Sequence, residues 1–240
     1  MAVYKRILLK LSGEALGGKK GAGLEPEAIA SFCGQIREVH EAGVEIAIVV
    51  GGGNIFRGLK ASAGGMDRVS ADNMGMLATI INGLALQDAL VKQGLSTRLM
   101  SAIPMEAIGE TFVCGRALKH LEKGRVVIFA GGTGNPFFST DTAASLRAVQ
   151  IGAEVILKGT KVDGVYEGDP MENPSFRKFD VISFDEVLRR GLKVMDATSI
   201  AMCRENRIPL VVFNLTREGT LLRVVNGEPV GTTVKENDNG

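Results

Sequence analysis

Tryptophan is absent from this chain of 240 residues, and aromatic residues of every kind make up only 5% of it. A core must therefore be built mainly from Val, Ile, Leu, Ala and Met. The apolar share of 45% supplies enough for one large domain or two closely merged lobes. Cysteine is scarce and odd in number. Cys33, Cys114 and Cys203 lie far apart, with no CxxC or Cys/His pairing of the kind that holds zinc. They are expected to be small buried thiols in a reducing compartment. Histidine is confined to His40 and His120, in polar helical surroundings and near no Ser or Cys elbow. No HExxH or carboxylate cluster marks a protein-held metal pair.

A charge excess of either sign is also missing. The 28 basic and 27 acidic residues leave a net charge of +1, with no long run of one sign. That argues against a nucleic-acid footprint and against a polybasic membrane patch. No apolar stretch is expected to reach the ~20 residues that span a bilayer. The start, Met1 to Leu11, mixes lysines into a short apolar run and lacks a signal peptide's h-region. A cytoplasmic protein is expected.

What is abundant is glycine, 31 residues, clustered after apolar runs. The β-branched run Val44 to Val50 empties into Gly51-Gly52-Gly53, and Arg125 to Ala130 empties into Gly131-Gly132-Thr133-Gly134. Strands are also expected at 6–11, 96–100, 153–158, 209–213 and 230–234. Helices are expected at 24–41, 66–93, 113–122, 140–151, 183–190, 196–205 and 218–225. The stretch 160–180, rich in Gly, Pro, Asp and Asn, reads as loop with room for a hairpin. This alternation predicts an α/β fold: a mostly parallel sheet with helices on both faces. The chain is read as one domain over 1–240, with an N-terminal lobe to about 158 and a C-terminal lobe over about 159–235.

Each glycine turn leads from a strand end into a helix. Consecutive N–H groups there form an anion nest, reinforced by the helix dipole. In an open α/β sheet, ligands gather at the carboxyl ends of strands. Two such turns in one sheet favour a ligand with more than one phosphate subsite. G-x-x-x-x-G-K-[ST] is absent, and Gly51-Gly52-Gly53-Asn54-Ile55-Phe56 does not fit G-x-G-x-x-G. The protein-kinase set is missing too. Arg57 follows as a natural fork for phosphate. Lys10 and Lys158 both stand at strand ends, each beside a nearby glycine. Phosphoryl transfer needs cations on the transferred group and little covalent chemistry, so both are candidates for that role. Asp141, opening the helix after the second glycine turn, would orient both ammonium groups. As plainer alternatives, the lysines are solvated charges and Asp141 a first-turn acid. Mg²⁺ would ride on the phosphates of ATP.

These residues carry a resemblance. From Tyr4 to about Val234 the chain resembles the bacterial UMP kinases of the amino-acid-kinase superfamily. The motifs are Lys5-Arg-Ile-Leu-Leu-Lys-Leu-Ser-Gly-Glu-Ala15, Gly51-Gly-Gly-Asn-Ile-Phe-Arg-Gly58, Met74-Gly-Met-Leu-Ala-Thr79, Gly132-Thr-Gly-Asn-Pro-Phe-Phe-Ser-Thr-Asp141, Lys158-Gly-Thr-Lys-Val-Asp-Gly-Val-Tyr166 and Lys193-Val-Met-Asp196. The Gly-Asn-Pro-Phe-Phe segment is the one specific to UMP as acceptor. The resemblance implies a three-layer αβα sandwich and transfer of the γ-phosphoryl group of ATP to UMP, in pyrimidine nucleotide biosynthesis. It implies that Lys10, Leu11, Ser12 and Gly13 form the ATP phosphate strip, continued by Gly53 and Arg57, and that Thr160, Tyr166 and Asp169 bind adenosine. Gly52, Asp72 and the run Thr133, Gly134, Asn135, Pro136, Phe137, Phe138, Ser139, Thr140 would form the UMP site. Asp72 would accept from ribose hydroxyls. A homohexamer, activation by GTP and inhibition by UTP are implied as well. Arg98 and Arg125 would then be GTP contacts, and the loop Gly17-Gly18-Lys19-Lys20-Gly21-Ala22-Gly23 an effector-linked segment around Gly18. The competing expectations are an amino-acid kinase that makes an acyl phosphate on glutamate or aspartate, and a non-catalytic nucleotide sensor. The sensor would be expected to lose one of the lysines or Asp141.

Overall fold

The computed structural model describes residues 2–168, 173 and 175–236. The chain opens with β1 (Arg6–Leu11), the short α1 (Gly13–Leu16), a 3-10 turn at Gly18–Lys20, and α2 (Pro26–Glu41), with Pro26 in its first turn. There follow β2 (Glu45–Val50), α3 (Gly58–Ala63), the long α4 (Arg68–Lys92), β3 (Thr97–Ser101), the two-residue β4 (Glu110–Thr111), α5 (Cys114–Glu122) and β5 (Val126–Ala130). The second half holds α6 (Thr140–Ile151), β6 (Val155–Thr160), β7 (Val181–Ser183), α7 (Phe184–Arg190), α8 (Ala197–Glu205), β8 (Leu210–Asn214), α9 (Thr220–Val225) and β9 (Thr232–Lys235).

The strands form one sheet of order β4-β3-β5-β2-β1-β6-β8-β9-β7. Every pairing is parallel except β8 with β9. Alternation along the strands divides the core into two faces. On one face Ile7, Leu9, Ile46, Ile48, Val155 and Leu157 pack against α2, α4 and α9. On the other, Leu8, Val49, Phe129 and Ile156 pack against α5, α6, α7 and α8. Each fully buried Leu or Ile contributes about 1.5–3 kcal/mol, so the two faces together outweigh any surface interaction. The result is the three-layer α/β/α fold expected.

Several expectations need amending. Helix α3 and the edge strands β4 and β7 were not legible. Among the described residues of 160–180, an antiparallel bridge joins Tyr166 to Lys178, in keeping with the hairpin for which that stretch had room. Asp169 lies outside the described residues. Cys33 and Cys203 are buried, but Cys114 is half-buried, with its thiol donating to Gln150 O at 2.9 Å. Burial pushes the Cys33 thiol up to about 12, the value of an unreactive side chain. Contrary to the expectation from sequence, α4 is apolar enough, by length and composition alone, to cross a membrane. In the fold its inner face packs Ile80, Leu86 and Leu90 on the sheet and buries Asn82 beside them.

Candidate active site

Strand register creates the site. Lys10 and Lys158 are direct partners across β1 and β6. In adjacent parallel strands, register partners project to the same side, here the side covered by α6. Ser139 caps α6 by accepting from Thr142 N at 3.1 Å. Asp141, in the first turn, then faces both lysines. Its Oδ1 lies 2.6 Å from Lys10 Nζ and its Oδ2 lies 3.3 Å from Lys158 Nζ. Lys158 Nζ also donates to Val194 O.

The three side chains are only 11%, 15% and 18% exposed, so their charges are weakly screened. Burial alone would raise the Asp141 carboxyl, but the ammonium groups of Lys10 and Lys158 outweigh it and hold it below the usual carboxylate value. Burial, followed by the like charge of Lys10, lowers Lys158, and Asp141 opposes the shift. Two cations share one anion, which leaves one positive charge for a ligand.

The glycine turns border this cluster. Gly51 N donates to Leu11 O at 2.9 Å, continuing the β1–β2 ladder into the turn. A side chain at Gly52 would press on α4, because its Cβ would stand 2.8 Å from both Ala78 Cβ and Gly75 O. The second turn hangs on α4 through Thr79, whose hydroxyl accepts from Gly131 N at 2.8 Å and donates to Met76 O at 2.7 Å.

Two clefts open on either side. One, of about 500 Å³, is lined by Gly52, Gly53, Arg57, Asp72, Asn135, Phe137, Phe138, Ser139 and Thr140. The structure thus groups Gly53 and Arg57 with Asp72 and the Phe-Phe segment. Thr133, Gly134 and Pro136 belong to the same loop, where Thr133 and Asn135 bond each other. Phe137 and Phe138 are 65% and 53% exposed, and Phe137 adopts φ 71. That left-handed conformation is costly for a large side chain. It is held by the Phe137 N–H donating to Asp72 Oδ2 at 2.8 Å, the same oxygen that accepts from Arg68 Nε at 2.8 Å. The other cleft, of about 540 Å³, is lined by Lys158, Thr160, Tyr166, Gly164, Arg190 and Lys193, among others. The Thr160 hydroxyl lies 2.7 Å from Val162 O and 3.1 Å from Phe213 O, with one hydrogen to share between them. Leu11, Ser12 and Gly13 lie where β1 passes into α1.

Some of the machinery escaped the sequence reading. Glu14 pairs with Arg57. Arg68 pairs with Asp72 one helical turn away, an i,i+4 spacing that sequence could have revealed. Asp196 caps α8 through Ser199 N at 2.8 Å and also accepts from Ser139 and Thr142 on α6. Both histidines are occupied elsewhere, His40 with Gly124 O and His120 with Glu110 and Arg125.

A carboxylate clasped by two strand-end lysines, between two clefts at the carboxyl edge of a parallel sheet, suits transfer of a phosphoryl group. Comparison with known proteins agrees: the chain belongs to the amino acid kinase family, whose sequence profile matches residues 5–214. Among solved structures it is similar to UMP kinase from Bacillus anthracis, with 38% identity and a TM-score of 0.94, over 98% of this chain and 97% of that one. UMP kinase from Ureaplasma parvum is 40% identical with a TM-score of 0.91, over 97% of this chain and 99% of that one. Uridylate kinase from Archaeoglobus fulgidus is 28% identical with a TM-score of 0.74, over 98% and 100% of the two chains. The family read from the sequence motifs is borne out.

Proposed function

We propose that the protein transfers the γ-phosphoryl group of ATP to UMP, giving ADP and UDP, in the cytoplasm and as a step of pyrimidine nucleotide biosynthesis. The observation that carries this reading is the Lys10–Asp141–Lys158 cluster set between two clefts. ATP would occupy the C-terminal cleft along Thr160 and Tyr166, with its phosphates passing over Lys158, Lys10, Ser12 and Gly13. UMP would occupy the cleft of Gly52, Asp72 and the 133–140 loop, its ribose hydroxyls donating to Asp72. On this reading Arg57, which lines that cleft, meets the acceptor's phosphate. The lobe over 1–158 then holds UMP, and the lobe over 159–235 holds ATP.

The attacking atom is a phosphate oxygen of UMP, already anionic, so no general base is needed. Charge developing on the transferred group and on the leaving β-phosphate oxygen meets the two ammonium groups. Asp141 aims both ammonium groups and opposes the lowering of Lys158. Mg²⁺ bound with ATP would supply neutralisation of phosphate charge there. The rim carboxylates Glu14, Asp141 and Asp196 already have protein partners, so phosphate and water oxygens would supply its ligands.

Regulation and assembly belong to the same proposal: GTP as activator, UTP as inhibitor, and a homohexamer. A cleft of about 640 Å³ brings Arg98 and Arg116 together, both paired with Glu110 and beside Glu106, so an anionic effector there would have to displace Glu110; Arg125 bonds His120. The stripe Met74, Leu77, Ile81, Leu84 and Val91 on α4 is exposed and apolar, which suits a second copy of the chain. The activity is tested by coupled ADP release with UMP, CMP, dUMP, glutamate and aspartate as acceptors. Turnover with UMP is expected. Turnover only with glutamate or aspartate would replace this reading by an acyl-phosphate kinase.

A further inference from the structure

The helix α4 carries an asparagine where an apolar residue is expected. Asn82 is fully buried on the helix's inner face, beside Ile80 and Leu86. A buried amide costs about 1–3 kcal/mol unless its hydrogen bonds are made. Here all are made, in a closed figure with Asn54, itself buried at the end of the first glycine turn. Asn82 Nδ2 donates to Gly51 O at 2.6 Å and to Asn54 Oδ1 at 2.7 Å. Asn54 Nδ2 donates to Asn82 Oδ1 at 3.1 Å and to Gly23 O at 2.6 Å. Gly23 N donates back to Asn54 O at 2.9 Å. Gly51 O and Gly23 O only accept, so each amide must turn its nitrogen toward them. The remaining donor and acceptor of each amide then face each other, and neither side chain can flip.

This figure reaches the phosphate-facing turns. The first turn of α1 lies directly on it: a Cβ at Gly13 would stand 2.4 Å from Asn54 Oδ1, 2.6 Å from Gly51 O and 2.9 Å from Gly53 N. Gly51 N is meanwhile bonded to Leu11 O. The amide pair therefore fixes three segments against α4: the Gly17–Gly23 loop, the passage Lys10–Gly13, and the Gly51–Asn54 turn.

We propose that Asn82 and Asn54 are positioning residues for phosphoryl transfer, which set the gap between the two backbone strips flanking the transferred group. They touch no substrate. The inference rests on the reading that those strips hold phosphates. A reaction whose reacting atoms must be aligned loses about 100-fold for a misplacement of about 1 Å. Asn82→Ser and Asn54→Ser, too short to span the figure, should lower kcat roughly 10–100-fold with less than about 3-fold change in either KM. Because the pair acts as one unit, the double variant should lose no more than about 3-fold beyond the worse single variant.

The test is steady-state kinetics of the full chain with ATP and UMP for both single variants and the double variant, alongside Glu45→Gln. That last change breaks the mostly buried Arg6–Glu45 pair at the opposite end of the same strands. It should lower thermal stability while leaving kcat native, separating loss of position from loss of stability. Variants of native kcat, or losses that multiply in the double variant, would overturn the proposal. So would Glu45→Gln losing as much kcat as the asparagine variants at a matched fall in melting temperature. If the native protein phosphorylates a different acceptor, the functional reading fails, and the same comparison of kcat, read with that acceptor, still decides the clamp.

Discussion

Replacing Asp141 by Asn removes one charge with almost no change of shape. At separations of 2.6 and 3.3 Å and an effective dielectric of about 20, Lys10 gains about 6 kcal/mol and Lys158 about 5 kcal/mol from the carboxylate. Desolvation of three mostly buried groups offsets much of this. Loss of one partner of such a cluster costs roughly 3–5 kcal/mol. The open ligand side places Asp141→Asn at the lower end, about 3 kcal/mol, because water and anions can approach the stranded ammonium groups. For a chain of this length that is a fall in melting temperature of about 6–12 °C.

The sign of the pH dependence separates charge from packing. Lys158 is already lowered from 10.5, and losing Asp141 removes the group that opposes that shift. In the variant the folded state sheds the Lys158 proton at lower pH than the unfolded chain does. Between those two values the unfolded state binds more protons, so stability rises with pH. In the native protein Asp141 is lowered from 3.8. Its contribution is complete above that value and is lost only as pH falls through the folded one. Calorimetric melts at fixed protein concentration, near pH 7 and again near about pH 9.5, should therefore show the Asn variant's deficit narrowing at the higher pH. A deficit that is absent, or equal at both values, would refute the electrostatic account of the cluster.

Other expectations follow from the same geometry. Lys158→Ala should lower kcat by about 100–1,000-fold with a smaller change in KM, since its charge acts on developing charge. Unchanged kcat in the purified variant would remove Lys158 from the mechanism. Asp72→Asn should raise KM for UMP more than KM for ATP, and equal effects on both would sink the ribose assignment. The kcat profile should begin its alkaline fall below the ordinary lysine value of 10.5, because Lys158 is lowered and must be protonated. A fall beginning only above 10.5 would contradict this. Gly52→Ala, whose new methyl meets Ala78 and the backbone of Gly75 at 2.8 Å, should cost about 1–3 kcal/mol of stability, measured by urea unfolding.

Much of the fold was legible because its signals are local. The β-branched run before Gly51 and the apolar run before Gly131 mark strand ends within a few residues of sequence. The strands β4 and β7, two and three residues long, are too short for any periodicity. In the site, Lys10, Asp141 and Lys158 could be named from strand and helix ends. Their convergence needed the register of β1 against β6, a fact of the sheet and not of either strand. Asp196 stands in a sequence motif and caps its own helix, but its bonds to Ser139 and Thr142, like those of Asn82 to the first glycine turn, are tertiary and invisible to such reading. A buried asparagine in an apolar helix is a signal of its own, since without partners it would destabilise the core.

The central claim is that one phosphoryl group moves from ATP to UMP at the Lys10–Asp141–Lys158 cluster. It is tested most directly by incubating the protein with γ-³²P-labelled ATP, Mg²⁺ and UMP and separating the products. The account predicts label in the β-phosphate of UDP, and its loss in Lys158→Ala. Label confined to inorganic phosphate, or recovered on a carboxylate acceptor and never on UMP, would contradict it.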